Sequence, residues 1–432
     1  MRHRPALTIL FFVNVLNIYD RQALGALLEP LRHEFHLSDT QLGALPAVFT
    51  VVYAVAGLPL GRLADTWSRR RLLAIGVAVW AALTALGSLA ASYTFLFATR
   101  LGVGIGEAVC APTATSWIGD LVPSARRARA MAGFMMAVPI GVMLSFAVTG
   151  PVAQAHGWRV ALALAATPAV VLVPTLLWLQ EPGRGASPGA GQEPGDRPTD
   201  RKSEPLSLLK IPALWWIAAS GAIVNYVLYS FSTFVSAFLT RFHGLSVAQA
   251  GLWSGIGSGA AGILGAVAAG VYGDRVIGAW QNGRVLLAAA AAALAAPLAL
   301  AGILAPAGRA ALALPLFMLA YGLWQMYYGL VYAAIHDIVP SGLRGTAMAA
   351  YYMAMYLCGG SFGPLVTGRL SDHFARQAAA GGPVTEAAKA AGLHQAMYAI
   401  PALSVALAAV LWAAARSMRP SDPLVERPLR LP

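Results

Sequence analysis

Charged residues are scarce in this sequence. Asp, Glu, Lys and Arg make up 11% of the 432 residues, whereas a soluble domain is about one quarter charged. Cysteine is scarcer still: Cys110 and Cys358 are the only two, and both fall inside apolar segments, where we expect small core residues. Because 58% of the residues are hydrophobic, these scarcities exclude a soluble domain and indicate a polytopic membrane protein.

Basic residues outnumber acidic ones. The formal net charge is +12, but most of the Arg lies in short turns between apolar segments, where it sets membrane topology. Nucleic-acid binding is therefore not expected. The N-terminal stretch MRHRPALTILFFVNV has no small-residue cleavage site, so we predict a retained first helix rather than a signal peptide.

Twelve apolar segments approach the length of about 20 residues that a spanning helix needs. They cover residues 6–30, 41–61, 72–92, 94–117, 128–152, 158–180, 211–239, 247–272, 284–305, 310–336, 345–370 and 393–416. A polar stretch rich in Gly, Pro and Ser separates the sixth segment from the seventh. The sequence predicts an all-α membrane protein with an N-terminal six-helix bundle (1–181), a flexible linker (182–206) and a C-terminal six-helix bundle (207–432).

The basic turns predict the orientation in the membrane. Residues 1–4, the turns 62–71 and 126–129, the linker and the C-terminal tail are basic, whereas the turns near Ser92 and His156 carry few cations. Both termini and the linker are therefore predicted to be cytoplasmic. The abundance of Ala, Arg and Gly favours a bacterial inner membrane.

The two predicted halves share motifs. GRLADTWSRRR begins at Gly61 and GVYGDRV at Gly270, and each places an Asp, Asp65 or Asp274, four residues after the Gly. GDLVPSARRARAM and HDIVPSGLRGTAM follow the fourth segment of each half. Internal repeats of this kind are typical of secondary transporters, in which the substrate site lies between the halves at the midplane.

The sequence resembles the major facilitator superfamily along its whole length. The turn after the second segment is similar to that family's loop motif at Gly61, Asp65, Arg69 and Arg70, and this resemblance implies two pseudo-symmetric bundles of six helices that work by alternating access. It also implies a gate at the cytoplasmic face, made by Asp65 with Arg69 and Arg70, and by its counterpart Asp274.

Three stretches resemble the Spinster branch of the superfamily. They are NIYDR in the first segment, TRLGVGIGEA in the fourth, and APTATSWIGDLVPSARRARAM, which follows. The resemblance implies transport of a lysophospholipid or a sphingosine-phosphate-like lipid, coupled to protons. A neighbouring branch, the organic anion:cation symporters, has a similar Asp-Arg and Glu-Ala, so a proton symporter of sugar acids or aromatic carboxylates is the alternative.

Buried charges mark the candidate site. Asn14, Asn17 and Arg21 share one stripe of the first segment, with Asp20 beside it. Charges at bilayer depth are costly and need partners, which Arg100 and Glu107 of the fourth segment can supply. Two interpretations stay open: salt bridges that clamp two helices together, or a site where Asp20 and Glu107 carry the proton and Asn17, Arg21 and Arg100 bind substrate.

The second half carries aromatic residues where the first carries charges. By the repeat, Asn225 falls opposite Asn17, and Tyr229 opposite Arg21. The further substrate-binding candidates are Tyr226, Trp324, Gln325 and Tyr328. Core packing is an equally good interpretation of the aromatic residues of the tenth segment. A cavity with one charged and one aromatic wall would suit a ligand with a charged head and an apolar body.

Enzyme chemistry is not expected. The sequence has no His-Glu-x-x-His or Gly-x-Ser-x-Gly motif, and its His residues mostly lie at helix ends or in loops. No metal or other cofactor is predicted, because the proton gradient would supply the energy. The expected partners are the substrate, protons and the lipid bilayer, and the chain is expected to be a monomer.

Overall fold

The computed structural model describes residues 4–183, 208–209, 211–277, 282–339 and 343–418. The side chains of Asp65 and Asp274, both predicted gate residues, lie outside this description although their helices are included. Most of the predicted linker also lies outside it.

Nine helices form the first half. They are α1 (Arg4–Phe35), α2 (Asp39–Thr66), α3 (Arg69–Ser88), α4 (Tyr93–Glu107), α5 (Cys110–Leu121), α6 (Ser124–Met135), α7 (Ala137–His156), α8 (Trp158–Ala166) and α9 (Ala169–Trp178). The pairs α4–α5, α6–α7 and α8–α9 are each one spanning segment with a short break. The first half therefore has six spans, as predicted.

The described part of the second half contains eight α-helices and one π-helix. They are α10 (Pro212–His243), α11 (Val247–Ile277), α12 (Gly283–Ile303), α13 (Ala310–Ile338), α14 (Arg344–Ala354), a π-helix (Met355–Gly360), α15 (Phe362–Ala378), α16 (Glu386–Met397) and α17 (Ala399–Ser417). The π-helix joins α14 and α15 into the eleventh span, and α16 with α17 forms the twelfth.

Ten of these spans are apolar and long enough to cross a membrane by composition alone. The first and the eleventh fall outside that set. The polar residues around Asp20 and Arg21 lower the mean hydropathy of α1, and the eleventh span is divided by its π-helix.

Local sequence explains where the helices begin and end. Ser38, Ser68 and Ser92 precede α2, α3 and α4, and each accepts a hydrogen bond from the backbone N–H three residues later. Gly244 ends α10 with φ of 72°, a left-handed conformation that glycine adopts without strain.

The two halves approach closely along α2 and α15. A Cβ on Gly43 would lie 2.2 Å from the carbonyl oxygen of Pro364, and one on Gly368 would lie 2.1 Å from that of Asp39. No side chain fits at either position without moving the backbone. Glycine therefore permits the halves to close at the end of the molecule where α1 ends, which we call the outer end; the end with turns 62–71 and 126–129 is the basic end.

A network of ion pairs joins the halves at the outer end. Arg241 of α10 binds Glu29 of α1 at 2.5 Å and Asp39 of α2 at 2.7 and 2.8 Å. Arg32 of α1 bonds to Glu386 of α16 at 2.7 Å. Asp372 of α15 accepts hydrogen bonds of 2.9 Å from the backbone N–H groups of Asp39 and Thr40 (the start of α2). This outer network was not predicted from the sequence.

Candidate functional site

The structure brings the four charged residues of the first half together as two pairs. Arg21 Nε lies 3.5 Å from Glu107 Oε2, and Arg100 Nη1 lies 3.6 Å from Asp20 Oδ1. All four line one small cavity near the middle of the bundle, together with Leu24, Pro46, Phe49 and Val103. The proximity of the first and fourth spans that the sequence predicted is therefore present.

The Asp20–Arg100 pair is bridged by a third residue, although Asp20 Oδ1 and Arg100 Nε have no hydrogen-bond partner among the described residues. The Thr84 hydroxyl of α3 donates a hydrogen bond of 2.5 Å to Asp20 Oδ2 and accepts one of 3.3 Å from Arg100. Asp20 and Arg100 are each 2% exposed. This pair, with its third partner from another helix, has the geometry of a clamp between α1, α3 and α4.

The Arg21–Glu107 pair is loose by comparison. Both direct contacts are ion pairs without a hydrogen bond, at 3.5 and 3.6 Å, but no third residue bridges this one, and within the described residues neither buried carboxylate oxygen of Glu107 has a hydrogen-bond partner. Arg21 donates a long bond of 3.4 Å to Asn17. An ionised carboxylate that is buried without hydrogen bonds is costly, so this pair can rearrange more readily than the clamp.

Aromatic rings supply the other contacts of Arg21. Its guanidinium lies 4.3 Å from the ring centre of Tyr53 and 5.2 Å from that of Phe49, both on α2. Sequence reasoning missed these residues because α2 is apolar there and no polar stripe draws attention to it. Their spacing of four residues, which places both rings on one face, was the available signal.

The second half presents tyrosines to this cluster. Tyr356 of the π-helix contacts Tyr53 and Tyr229 edge to face, at centroid distances of 5.8 and 6.4 Å. Tyr328 bonds to Asn225 Oδ1 at 3.4 Å. Tyr229 and Tyr328 are only partly buried.

The remaining candidates of the second half make contacts within that half. Trp324 is 1% exposed and donates to Ser404, so it packs in the core behind the tyrosines. Gln325 bonds to Tyr321 at 3.0 Å, and Tyr226 bonds to Thr367 at 3.3 Å. Core packing was the alternative that the sequence left open for the tenth span, and Trp324 follows it in this conformation.

The basic turn is anchored within the first half. Arg69 is buried, bonds to Asp120 at 2.5 Å and to Glu181 at 3.1 Å, and Arg70 donates to the Leu179 carbonyl at 3.2 Å. Partial burial raises the pKa of Glu181, but hydrogen bonds from Ser68 and Arg69 outweigh it and hold that pKa below its ordinary value. In this conformation these contacts tie α3 to α5 and to the segment that follows α9, and among the described residues none of them reaches the second half.

Removing Arg69 tests how much this anchor stabilises the fold. Arg69→Gln is expected to cost about 3 kcal/mol, at the low end for a buried pair, because Asp120 and Glu181 are 19% and 21% exposed. Thermal unfolding in detergent at pH 7 would measure the loss. Because the Glu181 pKa is depressed, its contribution is present above the ordinary pKa and disappears as the pH falls below the folded value, so the difference from wild type should shrink in acid.

Comparison with known proteins identifies the family. Residues 10–364 match the family model described as Major Facilitator Superfamily. The chain belongs to the major facilitator superfamily. It is 33% identical to an MFS-type efflux pump of Mycolicibacterium smegmatis over 381 residues, which cover 86% of each chain. These relatives are transporters, so this chain is a membrane transporter that works by alternating access and not an enzyme.

The Spinster-like assignment is also confirmed. The crystal structure of a bacterial homolog to the human lysosomal transporter Spinster, inward-facing and unoccupied, matches with a TM-score of 0.83 and 26% identity, covering 96% of this chain and 98% of that one. The sphingosine-1-phosphate transporter SPNS2 of Danio rerio is 30% identical over 241 residues. That match covers 54% of this chain and 45% of the zebrafish protein.

Proposed function

We propose that this transporter moves an amphipathic lipid, such as a lysophospholipid or a sphingosine-phosphate-like molecule, and couples the movement to protons. One observation carries the proposal: Arg21 and Glu107 of the first half face Tyr229 and Tyr356 of the second half across the middle of the bundle. A ligand between them meets a cation on one side and aromatic rings on the other.

Arg21 is the residue that would bind the lipid head. A guanidinium forms two parallel hydrogen bonds with a phosphate, and Arg21 is 9% exposed while its present polar contacts are long. Arg100 is 2% exposed and held by Asp20 and Thr84, so its part in head-group binding is secondary. The partly buried rings of Tyr229, Tyr328 and Tyr356 would line the apolar body of the ligand.

Glu107 is the better placed of the two proposed proton carriers. Its carboxylate oxygens have no hydrogen-bond partner among the described residues, whereas Asp20 is held by Thr84 and Arg100. A phosphate that binds Arg21 would take the cation away from Glu107 and so favour protonation of Glu107. Loading of substrate and proton would then depend on each other.

The proposed setting follows the basic turns. The basic end would face the cytoplasm, with both termini and the linker there, in a bacterial inner membrane. Asp65, Asp274, Arg69 and Arg70 would form the gate at that face during the transport cycle. The proton gradient would be the energy source with no cofactor, and the chain would act as a monomer.

Uptake into proteoliposomes under an imposed pH gradient tests the function. One panel holds lysophospholipids and sphingoid phosphates, and the other holds sugar acids and aromatic carboxylates. Lipid uptake that collapses when a protonophore is added is the expected result. Uptake of the small acids alone would overturn the proposal and favour the anion:cation symporter alternative, in which the tyrosines only pack.

A further inference from the structure

Tyr53 occupies a position that the charged cluster alone does not explain. Its ring lies 4.3 Å from the Arg21 guanidinium and stacks on Phe49 at 6.0 Å. The same ring contacts Tyr356, which belongs to the other half, at 5.8 Å. The Tyr53 ring therefore touches both Arg21 and the contact between the halves.

We infer that Tyr53 is a positioning residue whose ring offers Arg21 a second binding partner beside Glu107. Whether Arg21 binds the ring or the carboxylate then links the protonation of Glu107 to the contact between the halves. The inference rests on the proposed function and deepens it. It concerns how the protonation of Glu107 affects the contact between the halves, not which ligand the site binds.

Two partners compete for one cation. In the structure Arg21 touches both, 4.3 Å from the centre of the Tyr53 ring and 3.5 Å from Glu107 Oε2. When Glu107 is neutral, the aromatic face becomes the stronger partner and Arg21 moves onto Tyr53. When Glu107 is ionised, the carboxylate attracts Arg21 from a starting distance of only 3.5 Å. A cation–π contact that is shielded from water is strong enough to compete with a loose ion pair.

The position of Arg21 affects the interface between the halves because Tyr53 packs between Arg21 and Tyr356. Tyr356 lies in the π-helix between α14 and α15, and π-helical segments are frequent at functional sites. If Arg21 leaves Tyr53, the ring loses the partner on one face and its contact with Tyr356 loosens. The part of the eleventh span toward the basic end can then move relative to α2.

Other ionisable groups lie near Arg21 and Glu107, and they are the same in the wild type and in each variant. Asp20, Arg100 and Cys110 lie near Glu107, and the hydroxyls of Tyr229 and Tyr356 lie near Arg21. The variants below leave all of them in place.

The pH profile of lipid uptake tests the inference. In Tyr53→Leu, Arg21 keeps only the more distant Phe49 ring, 5.2 Å away on the same helix, and pairs more with Glu107, so more acid is needed to protonate that carboxylate. The midpoint should move to lower pH by roughly half a unit. Tyr53→Phe keeps the ring and should keep the wild-type midpoint. Tyr352→Leu is the matched control, because Tyr352 stacks on Tyr356 at 6.4 Å and makes no described contact with Arg21.

A distance measurement separates this inference from the proposed function. Spin labels at Gly57→Cys, where a side chain meets nothing within 4 Å, and at the exposed Met353→Cys, both with Cys358→Ser, report the gap between α2 and α14. In the labelled protein that keeps Tyr53, the distance between the labels should change with pH. In the labelled Tyr53→Leu variant it should stay constant. This readout needs no substrate, so it holds even if the wild type moves no lipid.

The inference is overturned if Tyr53→Leu keeps the wild-type midpoint and the wild-type pH dependence of the distance. If Tyr53→Leu fails to fold, Phe49→Leu replaces it, because that ring lies 5.2 Å from Arg21 and its loss should shift the midpoint in the same direction by less. An unchanged midpoint in Phe49→Leu would then overturn the inference that aromatic rings compete with Glu107 for Arg21. Wild-type protein that takes up none of the lipids in the first panel would instead refute the proposed function.

Discussion

Glu107→Gln should abolish uptake driven by a pH gradient while the protein still folds. The amide has nearly the same shape as the carboxyl group but takes up no proton, so the variant has no means of coupling at this position. Neither carboxylate oxygen has a hydrogen bond to lose among the described residues, and the only ion pair removed is the 3.5 Å contact with Arg21. Arg21 keeps its ring contacts with Tyr53 and Phe49, so we expect a smaller loss of stability than for a buried pair that is also hydrogen-bonded.

The measurement compares accumulation with exchange. Proteoliposomes preloaded with lipid substrate should exchange it through Glu107→Gln, whereas accumulation above equilibrium should disappear. Asp20→Asn is the companion variant. It removes the ion pair with Arg100 and leaves that guanidinium buried without an ion pair among the described residues, so its main effect should be a loss of stability of about 3 kcal/mol. Uphill uptake that persists in Glu107→Gln would remove Glu107 from the coupling mechanism.

The charged cluster was predictable because the membrane makes a buried charge informative. Asp20 and Arg21 stand out in an apolar segment, a partner had to exist, and the seven-residue spacing of Arg100 and Glu107 placed both on one face of the fourth span. What the sequence left open was which pairs form. That depended on Thr84, an ordinary residue of an apolar helix whose hydroxyl is committed to Asp20 only by the packing of α3.

The aromatic partners and the outer network were less accessible for different reasons. Phe49 and Tyr53 belong to an apolar helix in which aromatic residues are common, so neither is conspicuous until Arg21 is placed beside them. Arg32 and Arg241 lie at helix ends, where cations are ordinary topology signals and favourable to the helix dipole. Their pairing across the halves depends on how the two bundles meet, which composition and periodicity do not encode.

Arg241→Gln should open the outer end. Arg241 is 4% exposed and lies between Glu29 and Asp39, which are 6% and 5% exposed. Its loss leaves Asp39 with no ion pair among the described residues, and breaking a buried pair costs about 3–5 kcal/mol. That cost falls on the closed outer end, because exposure to water in an outward-open state relieves it. The population should therefore shift toward the open state.

Accessibility of a cysteine measures this shift. With Cys110→Ser and Cys358→Ser, Leu24→Cys places a thiol in the small cavity beneath the outer network. In the proposed orientation, a membrane-impermeant maleimide added outside intact cells should react at least about tenfold faster in the Arg241→Gln background, as expected for a shift of this size. Thermal stability of the purified variant distinguishes opening from unfolding.

Arg159→Gln is the matched control. Arg159 also lies at the outer end and pairs with Glu34 at 2.6 Å, but both residues belong to the first half and are 43% and 36% exposed. It therefore changes the charge of the outer end by the same amount without touching the link between the halves. Equal labelling in the two variants would mean that the overall charge, and not the bridge from α10 to α1 and α2, keeps this end closed. Fast labelling in Arg241→Gln alone would assign the closure to the bridge.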